Sequence, residues 1–355
     1  MILCPAPRGT AATQRLKYEQ YLDLLEKEGF QFTISPFQSR RFWKIIYKPG
    51  HVPEKIFWTC VGYLRRIFDL FRSPFYDAVF VNLWVTPLGF PTFERALFFF
   101  NSSVIYDIDD MIFAKTGSSG LVQKMKGRNK PLVLMKHAKA VITCTPKLLE
   151  IALDVNKFKH AVDISSTFDT NRFIPVKEYC DHDLISVGWT GTHSTLPFLE
   201  TLQPVLAELS KIRKIKLIVI ANKEYQMREV ETEFIFWKEQ TEVKDLHRIE
   251  IGLYPIPANE WSLGKSSLKA LTYMAIAIPF VATAYGTNYR IMENGKQGFL
   301  ALTDEEWLEA LIKLTDSAEL RRQMGLEGRK RVEEMFSLKI NFPKYLQIFK
   351  TAVST

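Results

Sequence analysis

The chain has 355 residues, enough for two domains that each build a hydrophobic core. Apolar residues make up 47% of it and charged residues 24%, which argues for a globular protein and against disorder. No run of about eighteen apolar residues predicts a membrane-spanning helix. The start, MILCPAPRG, lacks the pattern of a signal peptide. Four scattered cysteines without a CxxC pair predict reduced thiols in a cytoplasmic protein, in preference to a zinc site or disulfides.

The net charge of +8 comes entirely from the first half of the chain. Residues 1–170 hold 23 Lys and Arg against 15 Asp and Glu, whereas residues 171–355 hold 24 of each kind. We therefore expect the first half to meet an anionic partner, for which a lipid headgroup surface, a phosphorylated acceptor and nucleic acid are the candidates.

Strands and helices alternate along the whole chain. In the first half, an amphipathic helix is predicted over 13–30, with Gly29 as its C-terminal cap. Short apolar runs predict strands at MILCPAP, FQFTISPF, DAVFVNLW, SVIYDID and AVITCTP. In the second half, strands are predicted at ISVGW, IKLIVIA, IEIGLYPI, PFVATA and GFLAL, with helices between them. This alternation predicts an α/β fold with doubly wound parallel sheets.

The pattern is interrupted at STFDTNRFIPVKEY, where polar turn residues and a proline predict a junction near residues 165–180. We predict one domain over residues 1–168 and a second over 169–335. Residues 336–355 are predicted to form a C-terminal helix that can pack back on the first domain.

Two segments resemble a known family. ISVGWTGTHSTLPFLETL resembles the strand, loop and helix that open the C-terminal domain of family-4-like glycosyltransferases. The segment IGLYPIPANEWSLGKSSLKALTYMAIAIPFVATAYGTNYRIMENGKQGFLAL resembles their donor-binding block, with a helix ending in Met-Ala, Pro-x-Val-Ala-Thr, a glycine turn and a Gly-x-x-Gly-Phe-Leu strand. FDTNRFIPV is similar to the interdomain strand of the family. The chain therefore resembles a divergent member of the GT-B superfamily.

This resemblance implies two Rossmann-like domains facing a cleft. The C-terminal domain would hold a nucleotide-diphosphate sugar, and the N-terminal domain would hold a glycan or lipid-linked acceptor. It also implies a retaining, hexosyltransferase-like enzyme of polysaccharide and cell-envelope biosynthesis that needs neither metal nor other cofactor.

The donor-binding candidates can also be read from the residues themselves. Gly188, Gly191 and Thr192 follow or end a predicted strand that precedes a helix, where free amide groups favour a diphosphate. A second such turn is predicted at Gly286, Thr287 and Asn288. Lys265 and Lys269 lie four residues apart, which predicts that they share one face at the start of a helix. Their positive charge could neutralise the negative charge that develops on the departing diphosphate. A solvated helix face is the competing interpretation of the two lysines.

The chain departs from the family at a pair of glutamates that are separated by seven residues in and before that helix. Counting back from Pro279, their positions hold Gly264 and Thr272. Thr272 is the remaining candidate for a ribose contact, and a loss of activity is a real alternative. The basic pair that follows the first C-terminal strand in many members is also absent, with WTGTHST in its place.

Three aspartates follow one strand of the first half, in IYDIDDMIF. Clustered carboxylates at a strand end indicate a functional site, because their mutual repulsion costs stability. A divalent metal site, a contact to the sugar or acceptor, and helix capping all remain open, and we favour the second with Asp109 first and Asp110 next. In the loop PAPRGTAATQR, Gly9 and Arg15 resemble the loop of the family that touches acceptor and phosphate.

Residues 40–72 combine eight basic side chains and two acidic ones with interleaved aromatics. KIFWTCVGYLRRIFDLFRS predicts a basic amphipathic helix, which can lie in an anionic membrane interface or bury its aromatics against the sheet. Nucleic-acid binding is not expected, because no nucleic-acid motif accompanies the charge.

We therefore predict a cytoplasmic glycosyltransferase, with a peripheral location at the inner face of the membrane if residues 40–72 bind it. A sugar-nucleotide epimerase or phosphorylase of GT-B type, and an inactive partner that binds a glycan or a transferase, are the alternatives.

Overall fold

A computed structural model describes residues 1–113, 127–176, 179 and 183–354. Its first part contains a six-stranded sheet in which every neighbouring pair of strands is parallel, in the order β2-β1-β3-β4-β5-β6. The strands are β1 Ile2–Cys4, β2 Ile34–Pro36, β3 Val79–Asn82, β4 Val104–Asp107, β5 Ala140–Thr143 and β6 Ala161–Asp163.

Helices cover both faces of this first sheet. The path β2→β3→β4→β5→β6 moves steadily in one direction, so right-handed connections place its helices on one face. These helices are Arg40–Ile45, Val52–Arg72, Thr92–Phe100, Asn129–His137 and Pro146–Val155. The connection from β1 to β2 runs the other way and holds Ala12–Arg15, the 3-10 turn Glu19–Tyr21 and Leu22–Lys27. On that side the C-terminal helix Leu338–Val353 packs, with the rings of Tyr21 and Tyr345 4.1 Å apart.

The second sheet is also parallel throughout, in the order β12-β11-β10-β7-β8-β9. Its strands are β7 Ile185–Thr190, β8 Ile215–Ala221, β9 Thr232–Phe236, β10 Ile251–Tyr254, β11 Phe280–Thr283 and β12 Gly298–Ala301. The α-helices around it are Leu196–Glu200, Gln203–Ile212, Glu242–Leu246, Leu268–Ala275, Asn288–Ile291, Asp304–Thr315 and Ala318–Arg331. The two predicted doubly wound sheets are confirmed.

The chain divides into two compact units. The first comprises Met1–Thr167, Gly264–Ser266 and Asn341–Thr355, and the second comprises Phe168–Leu263 and Ser267–Ile340. The division after Thr167 lies one residue from the predicted boundary. The three residues from Gly264, which the prediction gave to the second domain, belong to the first unit.

Two element predictions need correction. The predicted helix over 13–30 is broken into two short α-helices and a 3-10 turn, and Lys17, between the first two of these elements, forms a buried ion pair with Asp107. The helix predicted for SSLKALTYMAIA begins only at Leu268, since Ser267 adopts a left-handed conformation with φ of 57° that interrupts the helical backbone.

Candidate functional site

The second sheet has a switch point between β7 and β10. These strands are neighbours, but the chain leaves β7 toward β8 on one side and leaves β10 toward β11 on the other. Ligands of doubly wound sheets bind outside the carboxyl ends of the strands at such a point. Trp189 in β7 and Tyr254 at the end of β10 are both buried here.

Lys269 lies at this switch point. It belongs to the first turn of the helix Leu268–Ala275, and its Nζ is 4.8 Å from the ring centre of Trp189 and 5.9 Å from that of Tyr254. Its Nζ also donates to Thr195 Oγ1 at 3.3 Å. Ring faces attract a cation and exclude water on one side of it. The predicted position of Lys269 at the carboxyl edge of the sheet is therefore found.

The loop after β7 is held by its own hydrogen bonds. The amide of Gly191 donates to the carbonyl of Ile220 at 3.0 Å, and the amide of Thr192 donates to Thr195 Oγ1 at 3.2 Å. The amide of His193 donates to Asn222 Oδ1 at 2.7 Å. The expectation of free amide groups at Gly191 and Thr192 is therefore wrong. A Cβ at Gly191 would lie 2.3 Å from the Trp189 ring, so this loop needs glycine to pass over the indole.

Gly188 has a structural role that the prediction missed. It lies inside β7, paired with Gly252 of β10 and Ile218 of β8, and not in the turn. A Cβ there would lie 2.3 Å from Ile249, so the missing side chain makes room for core packing. The assignment of Gly188 to a phosphate-binding turn is corrected.

The turn after β11 lies beside the start of the lysine-bearing helix. Gly286 has a φ of 58°, and the buried side chain of Asn288 accepts from Ser267 Oγ at 2.7 Å and donates to the carbonyl of Thr283 at 2.8 Å. Asn288 therefore holds the turn against the helix start. Among the residues that the structure describes, the amides of Gly286 and Thr287 have no hydrogen-bond partner.

Thr272 lies one turn further along the same helix, where it is buried. Its hydroxyl donates to the carbonyl of Leu268 at 2.8 Å. This bond uses the hydroxyl hydrogen within the helix and leaves only the oxygen of Thr272 to accept from a ribose hydroxyl.

Lys265 has a different environment from Lys269. It precedes the helix, in the segment that belongs to the first unit, and its Nζ lies 2.5 Å from Asp110 Oδ2. The prediction that both lysines share one face of a helix start is wrong. Lys269 is the better candidate for the diphosphate because it lies at the switch point of the second sheet.

Asp110 is itself unusual. Burial raises the pKa of its carboxyl, and Lys265 opposes that rise. Within the described residues, its second oxygen, Oδ1, is buried without a hydrogen-bond partner. An unpaired buried carboxylate oxygen costs free energy and is a strong acceptor for a ligand hydroxyl.

Gly264 packs against the same strand end. A Cβ at this position would lie 2.5 Å from the Cγ of Met111 and 2.6 Å from its backbone nitrogen. There is consequently no room for the glutamate that the family carries at this position.

The remaining aspartates after β4 divide into a structural one and an available one. Asp107 is fully buried, lies 2.6 Å from Lys17 Nζ and accepts from Asn82 Nδ2 at 2.8 Å. Asp109 is half-buried and, within the described part of the chain, forms no hydrogen bond or ion pair. Of the two predicted aspartates, Asp109 and Asp110, Asp109 is therefore the better placed to accept a hydrogen bond from a ligand.

Gly9 and Arg15 lie on the connection that follows β1, at the switch point of the first sheet between β1 and β3. Gly9 has a φ of 81°, and its amide donates to Glu19 Oε2 at 2.9 Å. Arg15 is buried in the short helix Ala12–Arg15. The structure thus places both residues at a ligand-binding edge, and their roles stay predictions.

The helix Val52–Arg72 forms as predicted, but its phenylalanines are exposed, whereas Trp58 and Tyr63 are half-buried. It packs through Gly62, Arg66, Asp69 and Leu70, with Arg66 and Asp69 joined by a 2.8 Å ion pair. Its exposed apolar side chains are Val52, Ile56, Phe57, Leu64, Ile67, Phe68 and Phe71. The interpretation of this helix as an inward-facing aromatic element is therefore wrong for these residues.

The described residues contain neither a candidate membrane span nor a candidate metal-binding cluster. No helix in residues 1–113, 127–176 and 183–354 is both long enough and apolar enough to cross a bilayer. Within those ranges, no three His, Cys, Asp or Glu side chains are grouped so that they could hold a metal ion.

Sequence reasoning missed three contributors to the site. Thr195 connects Lys269 to the loop after β7, while Trp189 and Tyr254 form the surface under the ammonium group. The only sequence signal for Trp189 and Tyr254 was an aromatic residue near the end of β7 and of β10. Such a residue is also typical of core packing.

Comparison with known proteins supports the interpretation of the second unit. Residues 185–317 match the family described as Glycosyl transferases group 1. The chain is 24% identical over 162 residues to the capsular polysaccharide biosynthesis glycosyltransferase CapM of Staphylococcus aureus, covering 43% of this chain and 42% of that protein. The chain spans less than half the length of the curated relatives it matches.

Solved structures resemble the whole chain. Sucrose-phosphate synthase from Thermosynechococcus elongatus gives a TM-score of 0.72 at 16% identity, over 99% of this chain and 98% of that one. Anabaena Alr3699/HepE in complex with UDP and glucose gives a TM-score of 0.68 at 12% identity, over 99% of each chain. At these identities the likeness shows the fold alone.

Proposed function

We propose that this protein transfers a sugar from a nucleotide-diphosphate sugar to a glycan or lipid-linked acceptor, because residues 185–317 match the group 1 glycosyltransferase family and the chain has the GT-B fold. The complexes of HepE with UDP and glucose favour UDP as the nucleotide. The reaction is proposed to proceed with retention, without a metal, and in the cytoplasm.

The observation that carries this proposal is the position of Lys269. Its ammonium group lies over Trp189 and Tyr254 at the switch point, and Thr195 joins it to the loop after β7. The turn at Gly286 and Thr287 lies against the start of the same helix and offers two amides. One cation and two amide donors at the carboxyl edge of one sheet are groups that can bind a diphosphate.

The chemistry assigned to these residues is electrostatic. The bond between the anomeric carbon and the diphosphate oxygen breaks, and a bond from that carbon to an acceptor hydroxyl oxygen forms. The nucleotide diphosphate leaves with the bonding electron pair, and the hydroxyl proton passes to it or to solvent. Lys269 lowers the barrier because it is already in place when negative charge develops on the leaving oxygen.

The aspartates of the first unit are proposed to orient hydroxyl groups. Asp109 has no partner in the described part of the chain, and Asp110 Oδ1 is buried and unpaired. Both can accept from a sugar or acceptor hydroxyl. Lys265 is proposed to hold Asp110 in its orientation and not to contact the diphosphate.

A catalytically inactive binding partner is the second candidate, and one observation favours it. Gly264 and Thr272 occupy the positions of the family's two glutamates, and packing against Met111 excludes a larger side chain at 264. An inactive partner would bind a nucleotide without releasing product. An epimerase or phosphorylase would convert the donor without using an acceptor sugar.

A panel of nucleotide sugars tests these functions together. We expect release of free UDP from at least one UDP-sugar, stimulated by an acceptor glycan or polyprenyl-linked sugar and unaffected by EDTA. Nucleotide binding with no UDP release would select the inactive partner. Isomerised donor without transfer would select the epimerase, and loss of activity in EDTA would overturn metal independence.

The exposed face of the helix Val52–Arg72 is proposed to dock on an anionic membrane. Its outward apolar residues include Phe68 and Phe71, which are 61% and 62% exposed. Arg72 lies 5.4 Å from the Phe68 ring, so a cation accompanies the apolar surface. Interfacial helices combine inserted aromatics with cations at the headgroup level. The charge excess of residues 1–170 matches such a partner.

Replacing Phe68 and Phe71 by serine should weaken binding to vesicles of anionic phospholipid at least about tenfold, because each ring contributes a few kcal/mol when buried in the interface. Vesicle flotation measures this binding. Phe236→Ser, an equally exposed phenylalanine of the second unit, is the matched control and should bind like the unaltered chain. Equal binding by all three proteins would contradict docking through this helix.

A further inference from the structure

The helix Val52–Arg72 is part of a larger layer. The helices Thr92–Phe100 and Asn129–His137 lie on the same face of the first sheet, as the direction of their crossovers requires. The layer is continuous, since the rings of Phe71 and Phe100 are 5.5 Å apart and those of Phe98 and His137 are 5.4 Å apart.

The apolar exposure of this layer extends beyond the first helix. Phe75 is 87% exposed, Phe99 is 85% exposed and Phe90 is 71% exposed. Exposed phenylalanines that cluster on one layer indicate a binding surface, whereas scattered single ones do not.

A cavity of about 480 Å³ opens between the helices Thr92–Phe100 and Asn129–His137. Its apolar lining includes Phe90, Leu132 and Val133, and its cationic lining consists of Arg95 and Lys136. Arg95 and Phe99 lie four residues apart and therefore share one face of the helix, so the exposed ring of Phe99 lies one helical turn from a cation of the cavity.

The positive charge at this cavity is not compensated locally. Neither Arg95 nor Lys136 forms an ion pair with any described residue. The only carboxylate on the two helices is Glu94, which is fully buried and lies 3.6 Å from the ammonium group of Lys130. Burial lowers the pKa of His137, and Lys157, Lys136 and Arg95 lower it further, which is the effect expected of a cationic cluster.

We propose that this cavity binds the phosphate headgroup of an anionic phospholipid, with Arg95 and Lys136 contacting the phosphate while Phe90 and Phe99 enter the acyl region. The inference rests on the membrane docking proposed above and adds a headgroup site outside residues 40–72. The combination of two unpaired cations with apolar walls fits an amphiphilic phosphate better than a free sugar phosphate. A free sugar phosphate has no apolar part that could contact the exposed phenyl rings.

The test compares three variants in flotation with phosphatidylcholine vesicles and with vesicles that also contain phosphatidylglycerol. Arg95→Gln/Lys136→Gln should weaken binding to the anionic vesicles roughly thirtyfold, since each cation near an anionic leaflet contributes about fivefold. Lys244→Gln/Lys330→Gln removes the same charge from exposed positions of the second unit and should change binding by less than about twofold.

Val133→Trp fills the cavity and keeps the charge. We expect it to reduce the preference for anionic vesicles while the melting temperature stays unchanged. If Val133→Trp binds like the unaltered chain, the cations act as ordinary surface charge and the headgroup site is overturned. A Val133→Trp protein that fails to fold is replaced by Leu132→Phe, judged by the same two outcomes.

Failure of the headgroup site and failure of membrane docking give different results. If Phe68→Ser/Phe71→Ser weakens binding but the cavity variants do not, only the headgroup site is overturned. No vesicle binding by the unaltered chain overturns both. Binding of soluble glycerol phosphate without vesicle binding, or a dimer that the phenylalanine variants dissociate, would assign the surface to another partner and overturn the lipid.

Discussion

Replacing Lys269 by alanine should lower kcat/KM for the donor sugar by about 10²–10³, because one preorganised charge that meets the leaving oxygen typically has this effect. The stacking of the lysine over Trp189 and Tyr254 means that its ammonium group is oriented before the donor binds. The measurement is the initial rate of UDP release at several donor concentrations. A loss in kcat larger than any rise in KM would show that the interaction strengthens in the transition state.

Lys313 supplies the control for this experiment. It also contacts an aromatic ring, with its Nζ 5.7 Å from the ring centre of Phe299. It lies in the last turn of the helix Asp304–Thr315, and this helix runs from the carboxyl edge of the sheet back to the amino edge. Lys313→Ala should leave kcat/KM within about twofold. Equal activity of the Lys269→Ala variant and the Lys313→Ala variant would remove Lys269 from the mechanism.

The second large effect is on stability, through Lys17. Replacing it by methionine should reduce the free energy of unfolding by about 3–5 kcal/mol, because Asp107 would remain buried without its partner. Burial lowers the pKa of Lys17, but Asp107 at 2.6 Å and the neighbouring Cys144 and Asp109 together raise it above its ordinary value. Urea unfolding followed by circular dichroism measures the change.

A surface pair gives the comparison for Lys17. Lys211 lies 2.8 Å from Glu208, with 69% of its side chain exposed, so Lys211→Met should leave the urea midpoint of unfolding almost unchanged. Adding Asp107→Asn to Lys17→Met should restore part of the lost stability, since it removes the unpaired charge. If Lys17→Met unfolds at the same urea concentration as the unaltered chain, the buried ion pair does not stabilise the fold.

Most of the fold could be predicted because the central strands of a parallel sheet are short, continuous apolar runs. IKLIVIA and PFVATA are clear examples and form β8 and β11. The edge strands β6 and β9 were not predicted, because their residues are mostly half-exposed and carry no such run. The buried ion pair of Lys17 could not be predicted either, since its partner Asp107 lies 90 positions away.

The candidate site could be predicted in its parts but not in its contacts. Lys269 and the turns at Gly191 and Gly286 were found from spacing and glycine content, and the structure brings them to one strand edge. Lys265 was indistinguishable from Lys269 in sequence, because its partner Asp110 is 155 positions away. Gly188 was predicted to be a loop glycine, although its missing side chain makes room for Ile249 in the core.

The most direct test of the account is a calorimetric comparison of UDP with uridine. The proposed diphosphate site should make UDP bind at least about tenfold more tightly than uridine, because charged hydrogen bonds contribute roughly 1.5–3 kcal/mol each. In the Lys269→Ala variant most of that difference should disappear, while uridine should bind as before. Equal affinity of the unaltered chain for UDP and uridine, or no affinity for either, would contradict a nucleotide-sugar site in the second unit.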